Sequence, residues 1–252
     1  MRIGILGYGK MGHEVETLAL VRGHQIAWTW DAPQAAAASS VEWCTADCIV
    51  AFTQPDAALQ DLFRALELGI PIVQGTTGWY QHLNEVEQQV AKHGGSLFWA
   101  SNFSLGANLF FALNRQLAQL MQPLVQTGTY DVALEEAHHT EKKDAPSGTA
   151  WSLAQDILTS IPQKTNMEAL GVQEQSILGR SWPKTPSLLI SSLRLHHVPG
   201  THTVQYRSEV DSISITHEAF GRKGFALGAV LAAEWLFGKK GMFTMKDMLP
   251  FS

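Results

Sequence analysis

The segment Glu136-Ala137-His138-His139-Thr140-Glu141-Lys142-Lys143-Asp144-Ala145-Pro146-Ser147-Gly148-Thr149-Ala150 sets two imidazoles and two ammonium groups just ahead of a small-residue turn. That turn opens a helix, because apolar residues recur at Ala150, Ala154, Ile157, Leu158 and Ile161, the spacing of one helical face. A helix N-terminus has unpaired N–H groups and the positive end of the helix dipole, so it suits an anion. Ser147, Gly148 and Thr149 are therefore expected to offer N–H and hydroxyl donors to one carboxylate, with the His-Lys cluster facing the rest of a small anionic substrate. On residue types alone the segment also reads as a solvated charged loop ahead of a capped helix.

A second group lies at the start of the chain. Residues 2–6 are an apolar run, followed at once by Gly7-Tyr8-Gly9-Lys10-Met11-Gly12 and a helical pattern through Val15, Leu18, Ala19 and Val21. Strand, glycine turn and helix in that order let a backbone approach a pyrophosphate; outside that context GxGxxG is an ordinary tight turn. Gly23 ends the helix, and a second strand over residues 25–30 finishes at Asp31, close to where a dinucleotide fold places its ribose-binding acid. Asp31 also reads as a plain acid at a strand end. Two further turns, Gly75-Thr76-Thr77-Gly78 and Ala100-Ser101-Asn102-Phe103, follow strands and are expected to line the nicotinamide half of a cofactor.

The elements that hold these groups are legible as βα alternation. Strand-like runs at 48–53, 70–74 and 96–100 alternate with helical patterns at 56–68 and 80–93, which points to a Rossmann-type, doubly wound parallel sheet in a dinucleotide-binding domain of residues 1–104. After Asn102 come a long amphipathic helix from about Ala107 to Met121, a strand from Tyr130 to Ala137 and the helix from Gly148. Residues 162–186 read as an irregular surface loop. Three β-rich runs, 188–196, 202–210 and 212–220, are separated by short turns, which suggests antiparallel pairing. An α+β domain of residues 105–220 for substrate binding and oligomerisation is the expectation. The last helix, 225–237, is apolar nearly all round, and residues 221–252 are expected to pack back on the first domain. A hinge between the domains would close the site.

A net charge of −5 gives no general attraction to nucleic acid or anionic lipid. The longest apolar stretches fall well short of the roughly 20 residues a membrane span needs, and the first residues lack a signal-peptide pattern, so a cytoplasmic enzyme is expected. Cys44 and Cys48 have no neighbouring His pair to complete a metal site; no metal is expected, and the two thiols read as inert.

The segment from Glu136 to Ala150 resembles the signature of the dihydrodipicolinate reductases, E-x-H-H-x-x-K-x-D-A-P-S-G-T-A, and matches every fixed position. The likeness extends to Gly75-Thr76-Thr77-Gly78, Asn102-Phe103-Ser104-Leu105-Gly106, Val198-Pro199-Gly200-Thr201-His202-Thr203, and Thr216-His217 through Gly228-Ala229. There are two departures. Thr140-Glu141 stands where many members carry Arg-His or similar basic residues, and the glycine turn is one residue shorter than G-x-x-G-[RK]-M-G, although Lys10, Met11 and Gly12 match.

The resemblance implies reduction of 4-hydroxy-tetrahydrodipicolinate to tetrahydrodipicolinate with loss of water, in lysine and diaminopimelate biosynthesis, with hydride from NADH or NADPH. It further implies that His138 is the acid/base, that Lys142 donates a proton, and that His139, Gly148 and Thr149 touch the dicarboxylate in a homotetramer built on the second-domain sheet. An acid at Asp31 favours a 2′-hydroxyl, hence a bias to NADH, while Lys10 is placed to pair with a 2′-phosphate. Two rivals stand beside this reading. Another two-domain dehydrogenase of amino or keto acids explains the fold but not the whole signature. A redox-sensing binding protein would be expected to have lost His138 or Lys142, and this chain has both.

Overall fold

A computed structural model describes residues 1–179 and 184–249. In chain order its elements are β1 (Arg2–Leu6), α1 (Lys10–Val21), β2 (Gln25–Trp30), α2 (Ala32–Ala37), α3 (Ser40–Trp43), β3 (Cys48–Ala51), α4 (Pro55–Glu67), β4 (Ile72–Gln74), α5 (Leu83–His93) and β5 (Ser96–Trp99). Then follow α6 (Leu105–Gln126), β6 (Asp131–His138), α7 (Gly148–Ser160), β7 (Asn166–Gln173), β8 (Ser187–Arg194), β9 (Gly200–Arg207), β10 (Ser212–Ala219), α8 (Lys223–Leu236), β11 (Gly241–Phe243) and α9 (Met245–Met248). The chain divides into two compact units, Met1–Asn108 with Arg222–Ser252, and Leu109–Gly221.

The first unit is a sheet in the order β2-β1-β3-β4-β5-β11, parallel throughout. Its inner strands are apolar on both faces, and Ile3, Ile5, Ile49, Val50, Ile72, Val73, Leu97 and Phe98 are fully buried, as a parallel sheet covered on both sides requires. Val15 and Ala19 of α1 pack with Ala226, Ala229, Val230 and Ala233 of α8 in one core. A separate core contains Ala58, Leu62 and Ala65 of α4 with Val86 and Val90 of α5. Each such large aliphatic residue contributes about 1.5–3 kcal/mol by leaving water. Strand order reverses between β1 and β3, and crevices at such points, beyond the carboxyl ends of the strands, are where open α/β sheets take ligands. The sixth strand, β11, is only three residues long and half-buried, so it left no pattern in the sequence.

The second unit is a mixed sheet in the order β10-β9-β6-β8-β7. Val132, Leu134, Leu188, Ile190, Val204 and Tyr206 form one face and pack in a single core with Phe110, Ala118 and Met121 of α6 and Leu153, Ala154 and Ile157 of α7. Two expectations are corrected here. The stretch 162–186 is not wholly irregular: it contains β7, paired in parallel with β8. Residues 180–183 of that stretch lie outside the described residues. As an edge strand β7 is largely exposed, and its register shifts between Ala169 and Val172, which removes the alternation that marks a strand. The three late runs also do not pair in succession. β9 and β10 are antiparallel neighbours, but β6 stands between β8 and β9 and is parallel to β8. Among the described residues no helix is long and apolar enough to cross a membrane.

Candidate active site

The glycine turn joins β1 to α1. Gly7 has φ +84°, and a Cβ there would lie 2.2 Å from the Phe52 carbonyl oxygen, while one on Gly12 would lie 2.5 Å from the carbonyl oxygen of Gly7. Both positions are glycine by necessity of packing. Gly9 caps α1 without any side-chain bond, and a Cβ there would meet nothing within 4 Å. The first bond of α1 runs from the His13 N–H to the Gly9 carbonyl at 3.1 Å, so the N–H groups of Lys10, Met11 and Gly12 start the helix without intrahelical acceptors. Open space before an uncapped helix start fits the pyrophosphate of a dinucleotide.

Asp31 is brought to this turn: its Oδ1 accepts the Tyr8 N–H at 2.8 Å. Asp31 and Lys10 are exposed, and Met11 is half-buried. The other two turns follow β4 and β5, at the same carboxyl-terminal end of the parallel sheet as the glycine turn. Within them Thr76 is buried, its hydroxyl accepting the Thr53 N–H at 2.8 Å and its own N–H donating to Gln74 Oε1 at 3.1 Å. Gly75 is half-buried and Thr77 exposed. Ala100 and Phe103 are buried in the core, Ser101 is exposed, and Asn102 Oδ1 accepts the Ser104 N–H at 2.8 Å. All the expected cofactor residues therefore lie at the carboxyl-terminal end of the parallel sheet, with Thr76, Ala100 and Phe103 holding the loops from inside.

In the second unit, alternation puts Leu134, Glu136 and His138 on one face of β6. Register sets Glu136 opposite both His202 of β9 and Ser192 of β8, one step beyond Leu134, Val204 and Ile190. The core face of the sheet thus turns polar at the end where α7 begins. Glu136 is fully buried. Its Oε2 accepts the Ser147 N–H at 3.0 Å, its Oε1 accepts the Ser192 hydroxyl at 2.8 Å, and the Arg194 guanidinium lies 3.4 Å away. Burial pushes the Glu136 carboxyl upward, but hydrogen bonds from His202, Ser147 and Ser192 outweigh it and hold the group well below the usual carboxylate range. His138 is buried, with Nδ1 3.5 Å from Glu136 Oε2. Burial is the main cause that lowers its pKa to about 4, against the attraction of Glu136, so its imidazole is neutral at neutral pH.

The loop from β6 to α7 is stapled by Arg194, which donates to the carbonyls of Lys142 at 3.2 Å and Asp144 at 2.6 Å. Lys142 Nζ is paired with the Asp144 carboxylate at 2.8 Å. His139 is exposed. Ser147 departs from expectation. It is buried, its N–H goes to Glu136, and its hydroxyl meets His202 Nε2 at 2.9 Å while accepting the Ala150 N–H at 3.2 Å. Both its N–H and its hydroxyl oxygen are therefore engaged inside the protein. Gly148 and Thr149, exposed and half-buried, have N–H groups without a partner among the described residues. What the loop presents is a neutral imidazole, an ammonium group and two open helix-start amides, a set suited to holding an anion and moving a proton.

Glu136, His202, Ser192 and Arg194 were given no role from sequence. A charged residue in phase with Leu134 on a core-facing strand was the available signal. Glu136, His138 and His202 also offer ligand-type atoms within 4.8 Å of one another, but the donors already on Glu136, one of them a cationic guanidinium, disfavour an added cation there.

Two family models match, one described as the N-terminus of dihydrodipicolinate reductase over residues 1–103, the other as its C-terminus over residues 106–249. A 4-hydroxy-tetrahydrodipicolinate reductase from Christiangramia forsetii is 41% identical over 249 residues, covering 99% of this chain and 98% of that protein. The protein of the same name from Neisseria meningitidis is 34% identical over 204 residues, 81% of this chain and 72% of its own length. In fold, the chain is similar to a dipicolinate-bound dihydrodipicolinate reductase from Paenisporosarcina, with a TM-score of 0.73 at 21% identity over 99% of both chains. A doubly wound sheet with a glycine-turn cradle, a second mixed-sheet unit carrying the His-Lys loop, and family matches across both place this chain in the dihydrodipicolinate reductase family.

Proposed function

We propose that this chain reduces 4-hydroxy-tetrahydrodipicolinate to tetrahydrodipicolinate with loss of water, a step of lysine and diaminopimelate biosynthesis, and that His138 and Lys142 handle its protons. The observation that carries the reading is the match of both halves of the chain to the two parts of one reductase family, with the full signature on the loop between β6 and α7. A nicotinamide nucleotide, held at the glycine turn by the N–H groups that open α1, supplies the hydride.

The chain's own residues do the rest. The amides of Gly148 and Thr149 and the Thr149 hydroxyl hold one carboxylate at the start of α7, and His139 faces the same dianion. Hydride addition to a conjugated imine leaves a lone pair on the ring, and the Lys142 ammonium stabilises and protonates it. The conjugated imine is formed first by loss of water: His138, uncharged before reaction, takes the ring proton beside the hydroxyl-bearing carbon and returns it to the hydroxyl, which leaves as water. Ser147 shapes the helix start from behind. Asp31 gives a bias to NADH, with NADPH also accepted through Lys10. On the family resemblance, the working form is a homotetramer in the cytoplasm.

The test is a coupled assay. The unstable substrate is generated in place from pyruvate and aspartate semialdehyde with the preceding synthase, and nicotinamide absorbance is followed. Oxidation above the synthase-only control is expected; its absence at both cofactors removes the reading.

A further inference from the structure

Glu136 carries a burden that binding of substrate does not explain. It is a carboxylate with no exposure, in contact with two histidines from different strands, a helix cap and a guanidinium. His138 Nδ1, also buried, has no hydrogen-bond partner among the described residues, and the acceptor it faces is Glu136 Oε2 at 3.5 Å. Bonds of this kind in a ligand-free site are often long and tighten when charge develops. The opposite nitrogen, Nε2, lies where a Cβ on Gly200 would stand 3.1 Å away. Glycine at that position lets the ring lie close over β9 with Nε2 turned away from the carboxylate.

We propose that Glu136 is the positioning residue for His138: it selects the tautomer with the proton on Nδ1, leaves the Nε2 lone pair for substrate chemistry, and stabilises the imidazolium formed in turnover. His202 is its support. Glu136 is an acceptor only and Ser147 Oγ has a second lone pair beside the one that accepts the Ala150 N–H, so the Nε2–H tautomer of His202 is the one that can face both, at 3.6 Å and 2.9 Å. One imidazole therefore ties the carboxylate to the cap of α7, and the orientation of His138 and the place of the carboxylate-holding helix start are set by the same group. The other titratable and charged groups around His138 are Lys142 on the loop, Arg194 on β8 and His202 on β9. Beyond His202, on β10, lies His217. The cations there raise the cost of an imidazolium and leave Glu136 to offset it.

The inference rests on the reading of His138 as acid/base, and the experiment separates the two. Histidine labelled with 15N is introduced into the wild-type protein and into Glu136→Gln, with His138→Gln identifying the His138 signals. In wild type at pH 7.5, His138 is expected as the Nδ1–H tautomer; finding the Nε2–H form overturns the proposal with no mutant needed. Glu136→Gln, which keeps the shape and removes the charge, is expected to mix the tautomers and lower kcat on the order of 10²-fold. KM and the Kd for pyridine-2,6-dicarboxylate should stay within about threefold. Its kcat/KM–pH profile should shift where a packing change alone would only lower it. Wild-type kcat, or a fall in kcat with an unchanged His138 tautomer, overturns the proposal. His202→Gln, which restores a donor near Nε2, is expected to retain at least tenfold more activity than His202→Ala; equal loss in both overturns the supporting role. If the wild type fails the coupled assay, the functional reading falls, and the tautomer result still decides whether Glu136 orients His138.

Discussion

Lys142 Nζ stands 2.8 Å from both carboxylate oxygens of Asp144, so on the proposed function the ammonium that would act on the ring is held by a carboxylate that would compete with the substrate for it. The pair is partly exposed, Lys142 at 20% and Asp144 at 60%, and such pairs are worth about 1 kcal/mol or less. Asp144→Asn is therefore expected to tighten pyridine-2,6-dicarboxylate by up to about fivefold. Calorimetry measures this directly. Weaker binding in the variant would show that Asp144 holds Lys142 in place and does not compete for it.

Removing either proton-handling group has a larger effect. Lys142→Ala and His138→Gln are each expected to lower kcat by about 10²–10⁴-fold, the range for loss of a positioned acid or base. The far-ultraviolet spectrum should be preserved, because Lys142 lies on the loop before α7 and His138→Gln keeps a polar side chain at the last residue of β6. Near-wild-type turnover in either variant would remove its role.

Thr149 and Ser147 are neighbours with opposite assignments, and binding separates them. Thr149→Val should weaken pyridine-2,6-dicarboxylate about tenfold, as loss of a hydrogen bond to a charged group does, and added salt should weaken binding to wild type by screening. Ser147→Ala should lower stability by about 1 kcal/mol through loss of the cap, read as a urea midpoint, and change affinity less than Thr149→Val. The reverse order of affinities would return Ser147 to the ligand.

That contrast shows where sequence stops being legible. The glycine turn, the parallel strands and the helix after Ser147 follow from local patterns: unbroken apolar runs, a period of 3.6, and Gly7 and Gly12 at forced positions. Ser147 also looks like a ligand residue locally, standing at a helix start. Its N–H and its hydroxyl are drawn inward by Glu136 and His202, 11 and 55 residues away, and no local pattern encodes that. The insertion of β6 between β8 and β9 is non-local in the same way. β7 escaped for a different reason, since an edge strand with a register shift and exposed side chains has no hydrophobic period. Glu136 stood in the quoted signature without a role, although its phase with the core residue Leu134 is a local sign of burial.

Asp61 on α4 supplies a pH-dependent stability test. Burial raises its carboxyl to about 6, against a hydrogen bond from Thr53 and the charge of Arg64, and its Oδ2 has no partner among the described residues. With the folded pKa above the unfolded one, the favourable contribution is complete below about pH 4 and is lost as pH rises through about 6. Asp61→Asn is expected to raise Tm relative to wild type by a few degrees more at pH 8 than at pH 4. A difference independent of pH, in matched thermal melts, would mean that Asp61 does not titrate in this window.

On the proposed function the cofactor preference would be read at Asp31, whose carboxylate would favour a ribose 2′-hydroxyl and repel a 2′-phosphate. Its Oδ1 also anchors the Tyr8 N–H inside the glycine turn at 2.8 Å, so a single substitution confuses the two. Asp31→Ala removes both, so KM should rise for NADH and NADPH alike while the kcat/KM ratio shifts toward NADPH. Asp31→Asn retains an acceptor for Tyr8 and removes only the charge. It should shift the ratio to a similar extent with a smaller rise in the two KM values. Lys10, exposed at the first position of α1, should act in the opposite sense, with Lys10→Ala lowering relative use of NADPH. The measurement is kcat/KM for both reduced cofactors in wild type and the three variants. If Asp31→Asn leaves the ratio where it was while Asp31→Ala moves it, the residue acts through the turn and not through the ribose; an unchanged ratio in all three would show that neither side chain reads the 2′ position.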